Sequence, residues 1–111
     1  MDRNIYNQSQ QPWTFTVTYD EGGNSGNVYF SGAGTGTAEN GPWVVPANAD
    51  TQTQFTTTDG KSDGTFLIAD HTGQTRQFDF SGGSIAHNGD TGPVSLNTPA
   101  DCDMTITADQ W

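Results

Sequence analysis

The alternation of residue types between Trp13 and Tyr19 is the feature that most constrains the fold. The segment "WTFTVTY" places Trp13, Phe15, Val17 and Tyr19 in one register and three threonines in the other. Side chains alternate between the two faces of a β-strand, so one face of this strand can enter a core while its threonines point outward.

Similar short segments recur along the chain, each bounded by Gly, Asn, Asp or Pro. The predicted strands cover 3–7, 13–20, 28–31, 42–46, 51–58, 65–70, 74–80, 84–87, 93–97 and 103–109. Helix formers are scarce, with two Glu and one Lys. One open sheet would leave a wide apolar face in water. The pattern therefore predicts an all-β fold, a mostly antiparallel two-sheet β-sandwich that forms a single domain over residues 1–111.

The clearest local prediction is a β-hairpin in "GTFLIADHTGQTRQFDF". Two strand-forming runs flank His71, Thr72 and Gly73, and a three-residue loop with Gly last is typical of a type I turn closed by a left-handed bulge. The side chains expected to form its buried face are Phe66, Ile68, Phe78 and Phe80.

The chain is strongly acidic, with 13 acidic residues, 3 basic residues and a formal net charge of −10. A surface of this sign repels a phosphate backbone and gains nothing from anionic lipid headgroups. Nucleic acid and anionic membranes are therefore poor candidates and no nucleic-acid partner is predicted, whereas neutral or cationic partners remain open. The simpler interpretation is that the charge maintains solubility.

Cys102 is the single cysteine, so no internal disulfide can form and the core alone must hold the fold. The longest apolar stretch is "FLIA", far too short to span a bilayer, and the first residues contain no apolar run typical of a signal peptide. We expect a soluble, leaderless protein with no transmembrane segment, located in the cytoplasm or released to the exterior.

Two acidic segments resemble metal sites but lack a complete ligand set. "DGKSDGTFLIAD" has acidic residues at Asp59, Asp63 and Asp70, as in a calcium loop, yet Lys61 occupies a position that needs an oxygen ligand. A β-turn is the better interpretation.

The second segment, "ADCDM", brings Asp101 and Asp103 near Cys102, and His87 or Asp90 could join them. No third ligand is specified by the spacing, so the sequence favours a solvated strand entry. Neither a metal nor another cofactor is predicted.

Catalytic residue types are few. His71 lies in the predicted hairpin turn, and Ser84 with His87 lacks the nucleophile elbow and the third member of a triad. Cys102 has no signature of a cysteine enzyme and is more typical of a small buried hydrophobe. The sequence therefore predicts a protein that is not an enzyme.

Threonine-rich runs, "TFTVT", "TQTQFTTT" and "TIT", resemble the faces of ice-binding or sugar-binding proteins. Such arrays need threonines in register, and their spacing along this sequence is irregular. Outward threonines that solvate a sheet are the more common case.

Aromatic residues outside the strand alternation are the better candidates for a binding surface. Trp43, in "NGPWVVPAN", stands between two prolines in a segment too proline-bound for a central strand. Trp111 and Tyr29 join it as predicted binding residues, because exposed Trp and Tyr serve sugar stacking, membrane-interface anchoring and protein contacts. The alternative is that Trp43 plugs the open end of the core.

The order of these segments resembles the aegerolysin family and related small bacterial insecticidal proteins. The matching features are "NIYNQSQQPWTFTV", "WVVPANADTQTQF", "SDGTFLIAD" and "QTRQFDF", within residues 3–80. The C-terminal third, with "SGGSIAHNGDTGPV", departs from the tryptophan-rich pattern of that family. The resemblance implies a small acidic leaderless protein that binds particular membrane lipids, often with a larger protein partner that completes a pore.

These observations lead to two expectations about function. The first is a non-enzymatic recognition module that binds a membrane lipid or a glycan, as one component of a cytolytic or insecticidal pair. The second, from a different class, is a structural or assembly subunit of a coat or an appendage.

Overall fold

A computed structural model describes residues 2–19, 28–48, 52–57, 63–81, 84–86, 91–96 and 103–111, and these ranges contain strands but no helix. The strands are β1 (Asp2–Asn7), β2 (Trp13–Tyr19), β3 (Val28–Gly32), β4 (Thr35–Gly36), β5 (Trp43–Val45), β6 (Thr53–Thr57), β7 (Asp63–Ala69), β8 (Thr75–Ser81), β9 (Ser84–Ala86), β10 (Val94–Leu96) and β11 (Met104–Ile106). Each predicted segment overlaps one of these strands, and β4 lies outside the predicted segments. The predicted roles of Asp59, Lys61, His87, Asp90, Asp101 and Cys102 lie outside the described residues.

The strands form two sheets. The five-stranded sheet has the order β10-β11-β1-β6-β3, and the six-stranded sheet has the order β4-β5-β2-β7-β8-β9. β1 and β11 pair in parallel, whereas the other pairs are antiparallel. The predicted all-β, mostly antiparallel two-sheet fold is confirmed.

The core lies between the sheets and is largely aromatic. Phe15 of the six-stranded sheet meets Phe30 of the five-stranded sheet edge to face at 6.4 Å between ring centroids. Phe66 and Phe55 meet in the same way at 5.2 Å. All four side chains are buried, and each contributes about 1.5–3 kcal/mol by leaving water. Alternation along β2 thus buries Trp13, Phe15 and Val17 as predicted.

The predicted hairpin is confirmed as β7–β8. Gly73 has φ +91°, the left-handed conformation expected at the last loop position. The Asp70 N–H donates to the Gln74 carbonyl at 3.0 Å and closes the loop. The four predicted core side chains of the hairpin are all buried.

The segment around Trp43 differs from its prediction. β5 pairs with β2 on one side and with β4 on the other, so it lies inside the sheet. Pro42 and Pro46 stand just outside the three paired residues, where their missing N–H groups interrupt no ladder bond within β5. The prediction that the prolines exclude this segment from the sheet interior is wrong.

A buried polar cluster supports the passage from β1 to β2, where the chain crosses from one sheet to the other. The amide nitrogen of Asn7 donates to the carbonyls of Gln11 at 2.9 Å and Val45 at 3.2 Å. Its oxygen accepts from the backbone N–H and the hydroxyl of Ser9 at 3.0 and 2.6 Å. Asn7 therefore satisfies backbone groups that a crossover would otherwise bury without partners.

Candidate functional site

Tyr29 is the most exposed large hydrophobic side chain among the described residues. Its side chain is 40% exposed, whereas its neighbours in β3, Val28 and Phe30, are buried. The strand alternation therefore directs the phenol ring outward from the five-stranded sheet.

Polar side chains surround this ring on the outward face. Thr56 of β6 is the cross-strand partner of Tyr29, and Glu39 forms an isolated β-bridge with it on the other side. The next row of the sheet holds Ser31, Gln54 and Asn4 in register. We call this surface the tyrosine face, formed by Asn4, Tyr29, Ser31, Glu39, Gln54 and Thr56.

The amides of the tyrosine face are oriented by hydrogen bonds. Gln54 Nε2 donates to Asn4 Oδ1 at 3.0 Å, and the backbone N–H of Asn4 donates to Asp103 Oδ1 at 2.9 Å. The bond between the two amides uses the donor end of Gln54 and the acceptor end of Asn4. The carbonyl oxygen of Gln54 and the amide nitrogen of Asn4 are therefore the ends that can serve a ligand.

Tyr29 stands on a strand that is fixed on both sides. β6 pairs with one side of β3, and residues 38–40 bond to the other. The Phe30 N–H donates to the Ala38 carbonyl at 2.8 Å, and the Val28 N–H donates to Asn40 Oδ1 at 3.0 Å. These bonds hold the backbone under the tyrosine in place, so little order has to be created when a ligand binds.

Trp43 lies in the core and not on the tyrosine face. Its side chain is 9% exposed, and its ring stacks on the Phe30 ring at 6.1 Å with an angle of 8°. The indole N–H donates to the Ala33 carbonyl at 3.1 Å. This position matches the alternative in which Trp43 fills one end of the core.

Gly34 makes room for this indole. Gly34 has φ +123°, and a Cβ built on it would lie 2.3 Å from Trp43 Nε1. The glycine-rich segment that precedes β5 therefore packs directly on the indole.

Trp111 is half-buried on the hairpin. Its ring meets Trp13 edge to face at 5.0 Å, and its indole N–H donates to the Ile68 carbonyl at 3.1 Å. The guanidinium carbon of Arg76 lies 4.9 Å from the centroid of the Trp111 ring, within the range of a cation–π contact. The three predicted binding residues thus occupy separate places, and Tyr29 is the one on an open polar face.

The Asp70 carboxylate links Trp111 to the hairpin loop. Burial raises the pKa of Asp70, but hydrogen bonds from the Thr72 hydroxyl and from the backbone N–H groups of Trp111, Gln74 and Thr72 lower it below its ordinary value. The lowered pKa keeps the Asp70 carboxylate ionised at neutral pH. Its acceptor atoms are engaged in the fold, so its place is structural.

Sequence reasoning missed most of the residues around Tyr29. The alternation of burial along β1 and β6 could have placed Asn4, Gln54 and Thr56 on an outward face. The pairing of β1 with β6, which joins residues 50 positions apart, has no signal in a single sequence. The register that assembles the face is therefore visible only in the structure.

Other kinds of site find no support in the described residues. No group of three or more His, Cys, Asp or Glu side chains there could hold a metal ion, and no helix there is long and apolar enough to cross a membrane. His71 is exposed in the hairpin turn. That the protein is not an enzyme stays a prediction.

The chain matches no protein-family model, no curated protein and no solved structure. The resemblance to aegerolysins therefore stays a prediction as well.

Proposed function

We propose that this protein is a non-enzymatic recognition module that binds a neutral glycan through the tyrosine face. The observation that supports the proposal is the exposed ring of Tyr29 set among amides, hydroxyls and the Glu39 carboxylate on a paired β-sheet.

The chemistry of this face suits a sugar ring. A sugar presents C–H groups on its flat side, which pack on an aromatic ring, and hydroxyls at its edge, which both donate and accept hydrogen bonds. Asn4, Gln54 and Thr56 supply donors and acceptors, and Glu39 supplies a charged acceptor. A net charge of −10 disfavours sugars that carry carboxylate or sulfate groups.

A membrane lipid is the weaker candidate for this surface. Membrane anchoring by an uncharged mechanism needs several large apolar side chains on one surface. Trp43, the predicted anchor, is buried, and the exposed large hydrophobics among the described residues are Tyr29 and Val44. These two lie on different sheets. The glycan therefore agrees better with the arrangement of side chains.

A glycan array followed by calorimetry tests the proposal. We expect the parent to bind a neutral glycan, and Tyr29→Ala to weaken binding at least about tenfold, because truncating an aromatic residue at a binding centre typically costs about 2 kcal/mol or more, and a tenfold loss is about 1.4 kcal/mol. Raising salt should change the affinity little, since an uncharged sugar gains nothing from the net charge.

Val44→Ala is the matched control, because it removes an exposed apolar side chain from the other sheet and should leave the affinity unchanged. Binding of the parent to zwitterionic vesicles in place of glycans would contradict the proposal and favour the lipid. A large regular assembly with no glycan binding would favour a structural subunit.

A further inference from the structure

The outward face of the six-stranded sheet collects threonines from four strands. They are Thr35 of β4, Thr14, Thr16 and Thr18 of β2, Thr65 of β7 and Thr75 of β8. The strand register places Thr18 beside Thr65, and it places Thr14 between Val44 and Ala69. We call this surface the threonine face.

The threonines form a two-dimensional array and not a sequence repeat. Alternate residues of β2 repeat at about 6.6–6.8 Å, and neighbouring strands lie about 4.7–4.9 Å apart. The array looks irregular in the sequence because its rows run across strands that are distant along the chain. Val44, Leu67 and Ala69 occupy the positions between the threonines on β5 and β7, and Gln77 of β8 lies beside Leu67, so methyl groups adjoin the hydroxyls over the centre of the face.

The described side chains of the threonine face carry little charge. Among its described side chains, Asp79 is the charged one, and it accepts a hydrogen bond from the Thr65 hydroxyl at 3.3 Å. The chain as a whole has a net charge of −10. The described part of this face therefore carries one charged side chain, and its chemistry suits an uncharged partner.

The threonine face is also stiff. β2 is paired along both edges, with β5 and β7, and branching at Cβ restricts χ1 of each threonine. Thr14, Thr16 and Thr65 are half-buried, so neighbouring side chains limit their movement, whereas Thr18, Thr35 and Thr75 are exposed. Little conformational entropy is lost when such side chains meet a rigid partner.

We propose that the threonine face binds ice. Each threonine pairs a methyl group, which restricts the positions of neighbouring water, with a hydroxyl, which bonds to it. A stiff and nearly uncharged array of such pairs can hold a layer of water in regular positions that continue into a crystal lattice. The surface differs from the tyrosine face, so this proposal stands independently of glycan binding.

Two other partners of the threonine face agree less well with the same observations. A flat polysaccharide would stack on aromatic rings, and the described side chains of this face include none. A second copy of the chain would need a larger apolar centre than Val44, Leu67 and Ala69 supply, because stable interfaces have an apolar core.

Thermal hysteresis and the growth of ice crystals test the proposal. We expect the parent to separate the freezing and melting temperatures, to shape single crystals and to slow recrystallisation. Thr16→Tyr should lose most of this activity, because a ring that protrudes from the centre of the array prevents close contact. Tyrosine suits a strand, so circular dichroism and melting temperature should stay close to those of the parent.

Thr105→Tyr is the matched control, since Thr105 is a half-buried outward residue of β11 on the opposite sheet; it should keep full activity. The proposal is overturned if the parent shows no hysteresis and leaves crystals round, as an inert protein of the same size does. It is also overturned if folded Thr16→Tyr keeps full activity. Sedimentation that shows a parent dimer abolished by Thr16→Tyr, without hysteresis, would replace ice with a second copy.

Discussion

The Asp70 carboxylate accepts a hydrogen bond from the backbone N–H of Trp111 at 2.9 Å, across 41 positions of sequence. Its other oxygen accepts from the Thr72 N–H at 2.9 Å and from the Gln74 N–H at 3.0 Å. One side chain thus orders the hairpin loop and fixes the segment that places the Trp111 ring on Trp13.

Asp70→Asn should lower the free energy of unfolding by about 1.5–3 kcal/mol, the range for a hydrogen bond to a charged group. The amide keeps one acceptor oxygen, so its NH₂ group must face a backbone N–H that also donates. Urea unfolding measures the loss. Asp79→Asn is the control, because Asp79 is exposed on the same hairpin and should change stability by under about 0.5 kcal/mol. Equal stability of the two variants would contradict this role of Asp70.

Acid should remove the contribution of Asp70. Its pKa is lowered in the folded protein, whereas in the unfolded chain it keeps an ordinary value of about 3.9. The unfolded state therefore binds a proton at higher pH than the folded state does, and stability falls as pH falls. The contribution is complete above the ordinary pKa and disappears as pH drops through the lower folded value. The gap in unfolding free energy between the parent and Asp70→Asn should narrow below about pH 4.

Features that depend on residues close together in the sequence could be predicted well. The β7–β8 hairpin could be predicted because its loop chemistry, its glycine and its alternating aromatics are all local. The burial of Trp13, Phe15 and Val17 could be predicted for the same reason. These predictions need only the geometry of one strand or one turn.

The tyrosine face could not be predicted, because it depends on which strands pair. Asn4 lies beside Gln54 only because β1 pairs with β6. No residue in either strand specifies this pairing. The prediction that Trp43 lies in an exposed segment was wrong for a related reason, because it too depends on strand pairing. Two flanking prolines suggest an exposed segment, but three residues between them are enough to pair with both β2 and β4.

Removal of the buried amide at the β1–β2 crossover should destabilise the fold. Asn7→Ala leaves the carbonyl of Val45 and the N–H of Ser9 without this partner, and each buried unsatisfied group costs about 1–3 kcal/mol. Thermal melting and urea unfolding check the loss. Gln8→Ala is the matched control, since Gln8 is exposed beside it. A fold that tolerates Asn7→Ala as well as Gln8→Ala would show that water replaces the amide.

Two glycine substitutions should separate backbone strain from steric conflict. Gly73→Ala keeps a positive φ with no heavy atom within 4 Å of the new Cβ, so it should cost only the strain of that conformation, about 1–3 kcal/mol. Gly34→Ala also has a positive φ, but its Cβ would lie 2.3 Å from Trp43 Nε1 and 2.4 Å from the Val44 carbonyl oxygen. It should therefore lower the melting temperature further than Gly73→Ala does. The reverse order would mean that the glycine segment does not pack on the indole.

The role of Trp43 is tested by grading the size of its replacement. Trp43→Ala should lower the free energy of unfolding by about 3–5 kcal/mol, because a buried indole is lost and a cavity remains against Phe30. Trp43→Phe should cost less, since a ring still fills part of the space, although the hydrogen bond to the Ala33 carbonyl is lost. Val44→Ala, next in the chain but exposed, should change stability little. Denaturant unfolding of the three variants gives this order if Trp43 belongs to the core. A surface anchor would give a different result: Trp43→Ala would melt with the parent and lose ligand binding, and the candidate site would then move from Tyr29 to Trp43.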